Sequence, residues 1–537
     1  MNNQYQVIII GGGATGAGVA RDCALRGIKA LLIERGDIAT GATGRNHGLL
    51  HSGARYAVND HESAEECIRE NMILRRIAAH CVEDTGGLFI TLPEDSLEFQ
   101  AKFVEACNAA GIAAKAIDPK LALKMEPSVN PRLIGAVTVP DGSVDPFRLT
   151  AANILDAKLH GADVLTYTLV EELVMESGRV VGVKCVNTLT GEKSEYRAEI
   201  TVNACGIWGR DLAAKAGVTI NMLPAKGALL VFGHRVNNVV INRCRKPADA
   251  DILVPGDSIT VIGTTSSKVP FEECDNMVVT ADEVDLLLRE GCMLAPSLEH
   301  TRILRAYAGV RPLVASDDDP SGRSVSRGIV VLDHATRDGV EGFVTITGGK
   351  LMTYRLMAEW TVDLICKKLG STAVCTTAEA LLPGAAKSLE VQSKSKSYSL
   401  PSSKASMVNR HGECAEAIDS STPLKRAYVC ECEQVTVGEV EYAVDKLGVK
   451  NLIDLRRRTR VGMGTCQGEL CAARAAAVMA AASGKGAAAA KADLKNFISE
   501  RWKGMSSVAW GDTLREGELL SWLYDGVCDL SNLKEQE

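Results

Sequence analysis

The chain lacks a positive charge excess: 60 Lys and Arg stand against 67 Asp and Glu, a formal net charge of −7. Nucleic-acid-binding domains are normally basic, so no nucleic-acid partner is expected. No window of 18 apolar residues occurs, so no helix is expected to span a bilayer and any membrane contact has to be peripheral. No basic n-region followed by an apolar h-region opens the chain; its first apolar run reads as a strand. No internal repeat is evident. What is present fits a soluble globular protein. The 537 residues allow two or three domains, and 46% of them are hydrophobic. Of 17 cysteines, the first dozen are scattered singly in apolar contexts and read as buried free thiols.

The most informative stretch is 5–36. A β-branched run, Val7 to Ile10, leads into Gly11, Gly13 and Gly16, spaced as G-x-G-x-x-G at the turn into a helix. That helix carries Ala17, Ala20, Ala24 and Leu25 on one face and ends at Gly27. A second apolar strand, 30–33, ends in Glu34, 18 residues after Gly16. Glycines here let the backbone approach a pyrophosphate, the helix N-terminus supplies free N–H groups, and the acid meets a ribose hydroxyl. Strand, helix, strand and acid are all in register for a dinucleotide site.

Residues 37–61 form a loop rich in glycine and small hydroxyl residues, Thr43 among them, yet holding Arg45, His47, His51 and Arg55. Such a loop suits close approach to a flat cofactor. Helices are expected at 62–79, with Cys67, Met72, Leu74 and Ile77 facing the core, and at 97–110, 119–125, 147–160 and 281–294. A hairpin turns at 176–179. The strand from Ile200 runs into Ala204 and a turn at Gly206. Alternating strands over 225–265 suggest an antiparallel sheet. A strand from 342 meets Gly348, Gly349 and Lys350 at the start of a helix running to about 369. Residues 371–425, including the run 393–397, read as linker. Residues 426–475 read as compact, followed by an alanine-rich and then amphipathic tail.

The pattern from Ile10 to Gly27, with Gly348-Gly349-Lys350 and Tyr354-Arg355 more than 320 residues on, resembles both signatures of the FAD-dependent glycerol-3-phosphate dehydrogenases. That resemblance implies an α/β fold, with a glutathione-reductase-type FAD domain and an antiparallel substrate domain at about 85–140 and 222–305. It places His51, Arg55, Tyr56, Thr264, Arg311 and Lys350 at substrate and flavin ring. Expected cofactor contacts are Gly11, Gly13, Gly16, Glu34, Arg35, Thr43, Ala204, Gly206, Gly348 and Gly349. The chemistry agrees: oxidising a secondary alcohol on a phosphate ester needs a hydride acceptor, a base for the hydroxyl proton and cations for the phosphate. His51 is the leading base; Arg55, Arg311 and Lys350 are the cations. After Lys226-Gly227 the aerobic homodimeric members tend to have a small residue and then His, where Ala228 and Leu229 stand here.

A second constellation is Cys430-Glu-Cys432, then 33 residues, then Cys466 and Cys471. Four thiolates in two close pairs suit Zn²⁺ or a [2Fe–2S] cluster. Cys-x-Cys wraps Zn²⁺ poorly, and the glycines at 462 and 464 suit backbone N–H···S bonds to a cluster. The unit resembles the bacterioferritin-associated-ferredoxin-like [2Fe–2S] domain. Its basic run, Arg456 to Arg460, lies among acidic neighbours and is expected to be a solvated face or a partner dock. A flavin domain joined to such a unit resembles the anaerobic, three-subunit branch of the family. That implies companion B and C subunits, the C subunit membrane-bound, with menaquinone as acceptor and a peripheral place on the cytoplasmic side of the inner membrane. Other readings are a flavin oxidoreductase acting on an amine or amino acid, and a non-catalytic redox-sensing protein. The former has less need of Arg55, Arg311 and Lys350; the latter need not keep His51 and Lys350.

Overall fold

The computed structural model describes residues 3–314, 328–386, 402–418 and 422–531. The glycine-rich stretch forms β1 (Gln4–Ile10), α1 (Ala14–Leu25) and β2 (Ala30–Ile33). Val7, Ile8, Ile9 and all of β2 are fully buried, because helices and sheet cover both faces. β1 lies parallel to β2, with Ile10 opposite Ile33, and parallel to Lys193–Asn203, with Ile10 opposite Asn203. Phe343–Gly348 and Asp163–Leu165 extend the parallel sheet on either side. The carboxyl ends of these strands therefore share one edge, where open α/β sheets bind ligands. α1 packs with Pro146–Leu159 and Tyr354–Leu369 around Ala17, Ala20, Val362 and Ile365. The hairpin Thr168–Glu176/Arg179–Asn187 turns through Ser177 and Gly178, with φ of 47° and 78°, the turn that matches strand twist.

A second sheet draws strands from 87–139 and 222–314. It is antiparallel except where Val240–Arg243 runs parallel to Gly87–Thr91. Its longest pair, Met222–Phe232 with Ile303–Val314, sets Ala225 opposite Arg311 and Gly227 opposite Gly309. Leu229 is buried in this sheet.

Several expectations need correction. Met72 is 56% exposed. The buried stripe of His61–Ile77 runs through Cys67, Glu70, Asn71, Leu74 and Ile77, and Glu70 holds its interior place by a bidentate bond to Arg355 at 2.6 and 2.8 Å. Within 371–425, the described residues 371–386, 402–418 and 422–425 include packed segments rather than plain linker. Leu382 is buried and its N–H donates to the Ile77 carbonyl at 2.8 Å, and Arg21 donates to the carbonyl of Ala380. Helix Ser402–His411 docks through Arg410 onto Glu439 at 2.7 Å. Order there comes from arginine-to-carbonyl and arginine-to-carboxylate bonds together with a small apolar cluster, Met407, Val408, Ala415 and Ile418, so composition misreads it. The run 393–397 lies outside the described residues.

Nor is the tail separate. Helices Ala487–Met505 and Gly511–Trp522 lay Leu494, Phe497 and Leu520 into the same core as Val429, Val440, Leu455 and Ala475. The basic run is not a solvated face either. Arg457 and Arg458 bond Asp37, in the loop that follows β2, at 2.7 and 3.0 Å, and Arg460 bonds Glu433, Asp145 and Asp257. Tyr167 donates to Asp454 at 2.7 Å. These arginines fasten the cysteine-bearing unit onto the half that carries the parallel sheet.

Candidate active site

A cavity of about 1320 Å³ opens at the carboxyl edge of the parallel sheet. That exceeds the usual span of a small-ligand pocket, about 300–1,000 Å³. Gly11, at φ 116°, takes a conformation other residues avoid, and a Cβ there would stand 2.5 Å from the carbonyl of Ala204. Gly16 does not line the cavity: a Cβ on it would meet the Gly11 carbonyl at 1.9 Å, so it sets the tightness of the turn. Gly13 lines the wall at the N-terminus of α1, where Ala14 N–H donates to Thr43 Oγ1 at 3.0 Å. Glu34 accepts from Gly12 N–H at 2.6 Å and Gly36 N–H at 3.0 Å. Burial pushes its carboxyl up, and those two bonds only partly oppose the shift. Arg35 stands over the Trp208 ring at 4.4 Å and pairs with Asp275. Ala204 and Gly206 form the facing wall, and Gly348 and Gly349, both at positive φ, line the far end. The glycine cradle, the helix N-terminus and the acid after β2 fit FAD.

The far end holds the other candidates. His51, Arg55, Tyr56, Thr264, Arg311 and Lys350 all line the same cavity. The His51 loop is held from behind, since Ser52 N–H donates to buried Asp141 at 2.7 Å. His51 Nδ1 accepts the Gly53 N–H at 3.0 Å, which puts the neutral ring's proton on Nε2. Arg55 Nη2 is fixed by the Ala248 carbonyl at 2.7 Å and Asp251 at 3.0 Å, while its Nη1 is buried with no hydrogen-bond partner among the described residues. Lys350 Nζ is likewise buried and unpartnered, 4.6 Å from the centre of the Tyr56 ring. Arg311 donates to Thr264 Oγ1, the Thr265 carbonyl and the Lys226 carbonyl, lying flat against Gly227. Buried cationic donors left bare are costly unless an anion completes them. Sequence reasoning missed Asp141 and Asp251. Both are buried, but Asp251 follows a charged run, Arg243 to Asp249, and Asp141 sits in a Pro-Asp-Gly turn, so neither stands out from its neighbours in the sequence.

The four cysteines converge as well. The Cys471 thiol bonds both Cys430 and Cys466, and Cys466 bonds Cys432. Cys430 receives backbone N–H bonds from Gly462 and Glu433, and Cys466 from Gly468 and Leu470. The bond from Cys471 holds the Cys466 thiol down to about 5, and Cys471 itself is pushed up as the donor. A Cβ at Gly464 would stand 2.5 Å from that of Cys432, and one at Gly468 2.5 Å from the Phe497 ring, so the ligand loops close only over glycine. Among the described residues no group of three or more His, Cys, Asp or Glu is set to hold a metal ion. Paired thiols with N–H···S bonds fit a [2Fe–2S] cluster.

The chain matches the FAD dependent oxidoreductase family over residues 6–355 and the BFD-like [2Fe-2S] binding domain over 428–481. It is 63% identical to the A subunit of anaerobic glycerol-3-phosphate dehydrogenase from Haemophilus influenzae, over 98% of this chain and 94% of that one. It is also 63% identical to the corresponding Escherichia coli K12 protein, over 99% and 98%. Among solved structures, glycerol-3-phosphate dehydrogenase from Bacillus halodurans complexed with FAD shares the fold at 23% identity, TM-score 0.70, covering 94% of this chain and 95% of that one. Glycine oxidase from Geobacillus kaustophilus shares the fold of 71% of this chain at TM-score 0.56 and 21% identity, covering 99% of its own length. FAD and [2Fe–2S] are thus the cofactors, and the chain belongs to the FAD dependent oxidoreductase family, in its branch of anaerobic glycerol-3-phosphate dehydrogenase A subunits.

Proposed function

We propose that this chain oxidises sn-glycerol 3-phosphate to dihydroxyacetone phosphate and passes the electrons through its [2Fe–2S] centre toward a quinone. The observation that carries the reading is the pair of buried cationic nitrogens without a hydrogen-bond partner among the described residues, Arg55 Nη1 and Lys350 Nζ, in a cavity that also holds Arg311. Three cations lining one cavity suit a phosphate dianion. FAD, bound along the Gly11–Gly13 turn, Glu34 and Gly348–Gly349, supplies the hydride acceptor. Arg55, Lys350 and Arg311 hold the phosphate and so present the secondary alcohol, while Tyr56 and Thr264 close the wall. His51, with Nδ1 engaged by Gly53, orients the reacting oxygen from Nε2–H; to act as the base it has to release that bond first. Cys430, Cys432, Cys466 and Cys471 hold the cluster. The relatives are named as one lettered component of a larger enzyme, which supports companion B and C subunits. Menaquinone reduction at the cytoplasmic face of the inner membrane, through the membrane-bound companion, completes the proposal. Among the described residues no helix is long and apolar enough to cross a membrane, in keeping with peripheral attachment.

The test is the visible spectrum of the FAD-loaded protein under anaerobic conditions. Glycerol 3-phosphate is expected to bleach the flavin band, whereas glycerol, glycine and proline leave it unchanged. Bleaching by an amino acid and not by glycerol 3-phosphate would overturn the reading.

A further inference from the structure

Between the flavin cavity and the cysteine loop lie three arginines that the proposed reaction does not use. Arg305 comes from strand Ile303–Val314, Arg456 from helix Leu452–Thr459 and Arg501 from helix Ala487–Met505. Arg501 is 4% exposed. Its Nη2 reaches Glu516 at 3.1 Å, but its Nε and Nη1 are buried with no hydrogen-bond partner among the described residues. The Nε atoms of Arg305 and Arg456 are buried and unpartnered in the same sense. Burial and mutual repulsion push the Arg305 and Arg456 guanidiniums below their ordinary range. Like charges with bare donors in one dry place are unfavourable unless negative charge lies close by.

Neighbours of the set touch both redox sites. Arg302 donates to the Thr465 carbonyl at 3.0 Å, next to Cys466, and shares the Glu516 carboxylate with Arg501. Tyr524 donates to the Gly468 and Glu469 carbonyls, inside the Cys466–Cys471 loop, and the charge of Arg501 acts on Tyr524 together with those two thiols. At the other end Arg305 lies 5.1 Å from the centre of the Tyr307 ring. The Tyr307 hydroxyl donates to the Asn46 carbonyl at 2.8 Å, and Asn46 lines the flavin cavity.

We propose that Arg305, Arg456 and Arg501 form a buried cationic bridge that raises the reduction potential of the iron–sulfur centre and so draws electrons from the flavin side to the cysteine side. A four-thiolate centre gains one negative charge on reduction, and a fixed positive field favours that reduced form. The inference rests on the four cysteines being the cluster ligands.

The test is a redox titration of the FAD- and iron–sulfur-loaded full chain, followed by the EPR signal of the reduced centre. Arg501→Met and Arg456→Met are each expected to shift the equilibrium toward the oxidised form about tenfold, about 59 mV for one electron. Arg501→Lys, which keeps the charge, is expected to keep the potential close to that of the parent protein. Bleaching of the flavin by glycerol 3-phosphate should be unchanged, because none of the three lines the cavity. If a Met variant fails to load iron, Arg456→Gln, which keeps a donor and loses the charge, gives the decision. Full EPR signal with an unmoved potential overturns the bridge, as does an unmoved potential with inorganic phosphate raising Tm, which would make the set an anion site. No EPR signal in the parent protein, with bleaching intact, overturns the ligand reading and the bridge while leaving the substrate reading standing.

Discussion

At the residue scale, His51 and Arg55 show how backbone bonds assign chemistry. Because His51 Nδ1 accepts from Gly53, the neutral ring carries its donor on Nε2, and His51 lines the cavity. His51→Gln keeps an N–H and is expected to lower kcat by less than about tenfold with both limbs of the pH–rate profile intact. His51→Leu removes the donor, with an expected loss on the order of 10². If the Gln variant loses a limb of the profile, His51 is the base after all. Arg55 has one nitrogen held by Ala248 and Asp251 and the other bare. Arg55→Ala is expected to cost about 1.5–3 kcal/mol in phosphate recognition, roughly a 10- to 150-fold loss in kcat/KM for glycerol 3-phosphate. Steady-state kinetics with a soluble dye measure it, and a change within about twofold would remove Arg55 from the phosphate site.

At the element scale, the turn before α1 and the helix 402–411 behave differently under stress. A Cβ at Gly13 meets only Thr43 Oγ1, at 3.2 Å, whereas one at Gly11 or Gly16 strikes backbone. Gly13→Val is therefore expected to fold yet lose FAD, since its side chain takes the pyrophosphate's place; a yellow, flavin-loaded variant would contradict this. Helix Ser402–His411 depends on Glu439. Burial pushes the Glu439 carboxyl up, but Arg410 and His411 outweigh it and hold it down at about 2. Burial pushes His411 below its ordinary value, so the ion pair rests on Arg410. A folded-state pKa below the unfolded value of about 4.3 contributes stability that is complete above that value and disappears as pH falls toward 2. A buried neutral His411 loses stability in acid for the same reason, because it must take up a proton. Glu439→Gln is expected to cost about 3–5 kcal/mol at pH 7 and to flatten the acid limb of Tm against pH.

At the scale of the whole molecule, the docking of the cysteine unit decides whether the two redox centres can communicate. Burial pushes the Asp37 carboxyl up, and Arg458 and Arg457 more than reverse the shift. Arg458→Ala is expected to keep dye-linked oxidation and the iron content while slowing cluster reduction after flavin bleaching in stopped flow. Unchanged cluster reduction would show that this contact does not position the unit. The same docking means that the chain cut after residue 370 leaves Asp37 and the Val508 slot in the second sheet's core uncovered, so the flavin half alone should be less stable than the full chain.

Much of this protein was legible from residues 5–36, 348–355 and the four cysteines, because each motif is local: glycine spacing, apolar periodicity and thiol pairs act over a few bonds. β2 and the helices at 119–125 and 281–294 fall where periodicity put them. What lay beyond the sequence were the pairings between distant charges. The basic run at 456–460 reads as solvent-facing until the fold brings Asp37, Asp145 and Asp257 against it. The stretch 371–425 reads as linker until Glu439 meets Arg410. His51 reads as a base until Gly53 turns its N–H onto Nδ1. By itself the sequence determined the cofactors and most of the residues that line the cavity, though not Gly16, which lies behind its wall. Only the tertiary structure decided which charges are bare, since a side chain's partner is set by the path of the whole backbone and not by its neighbours in the chain.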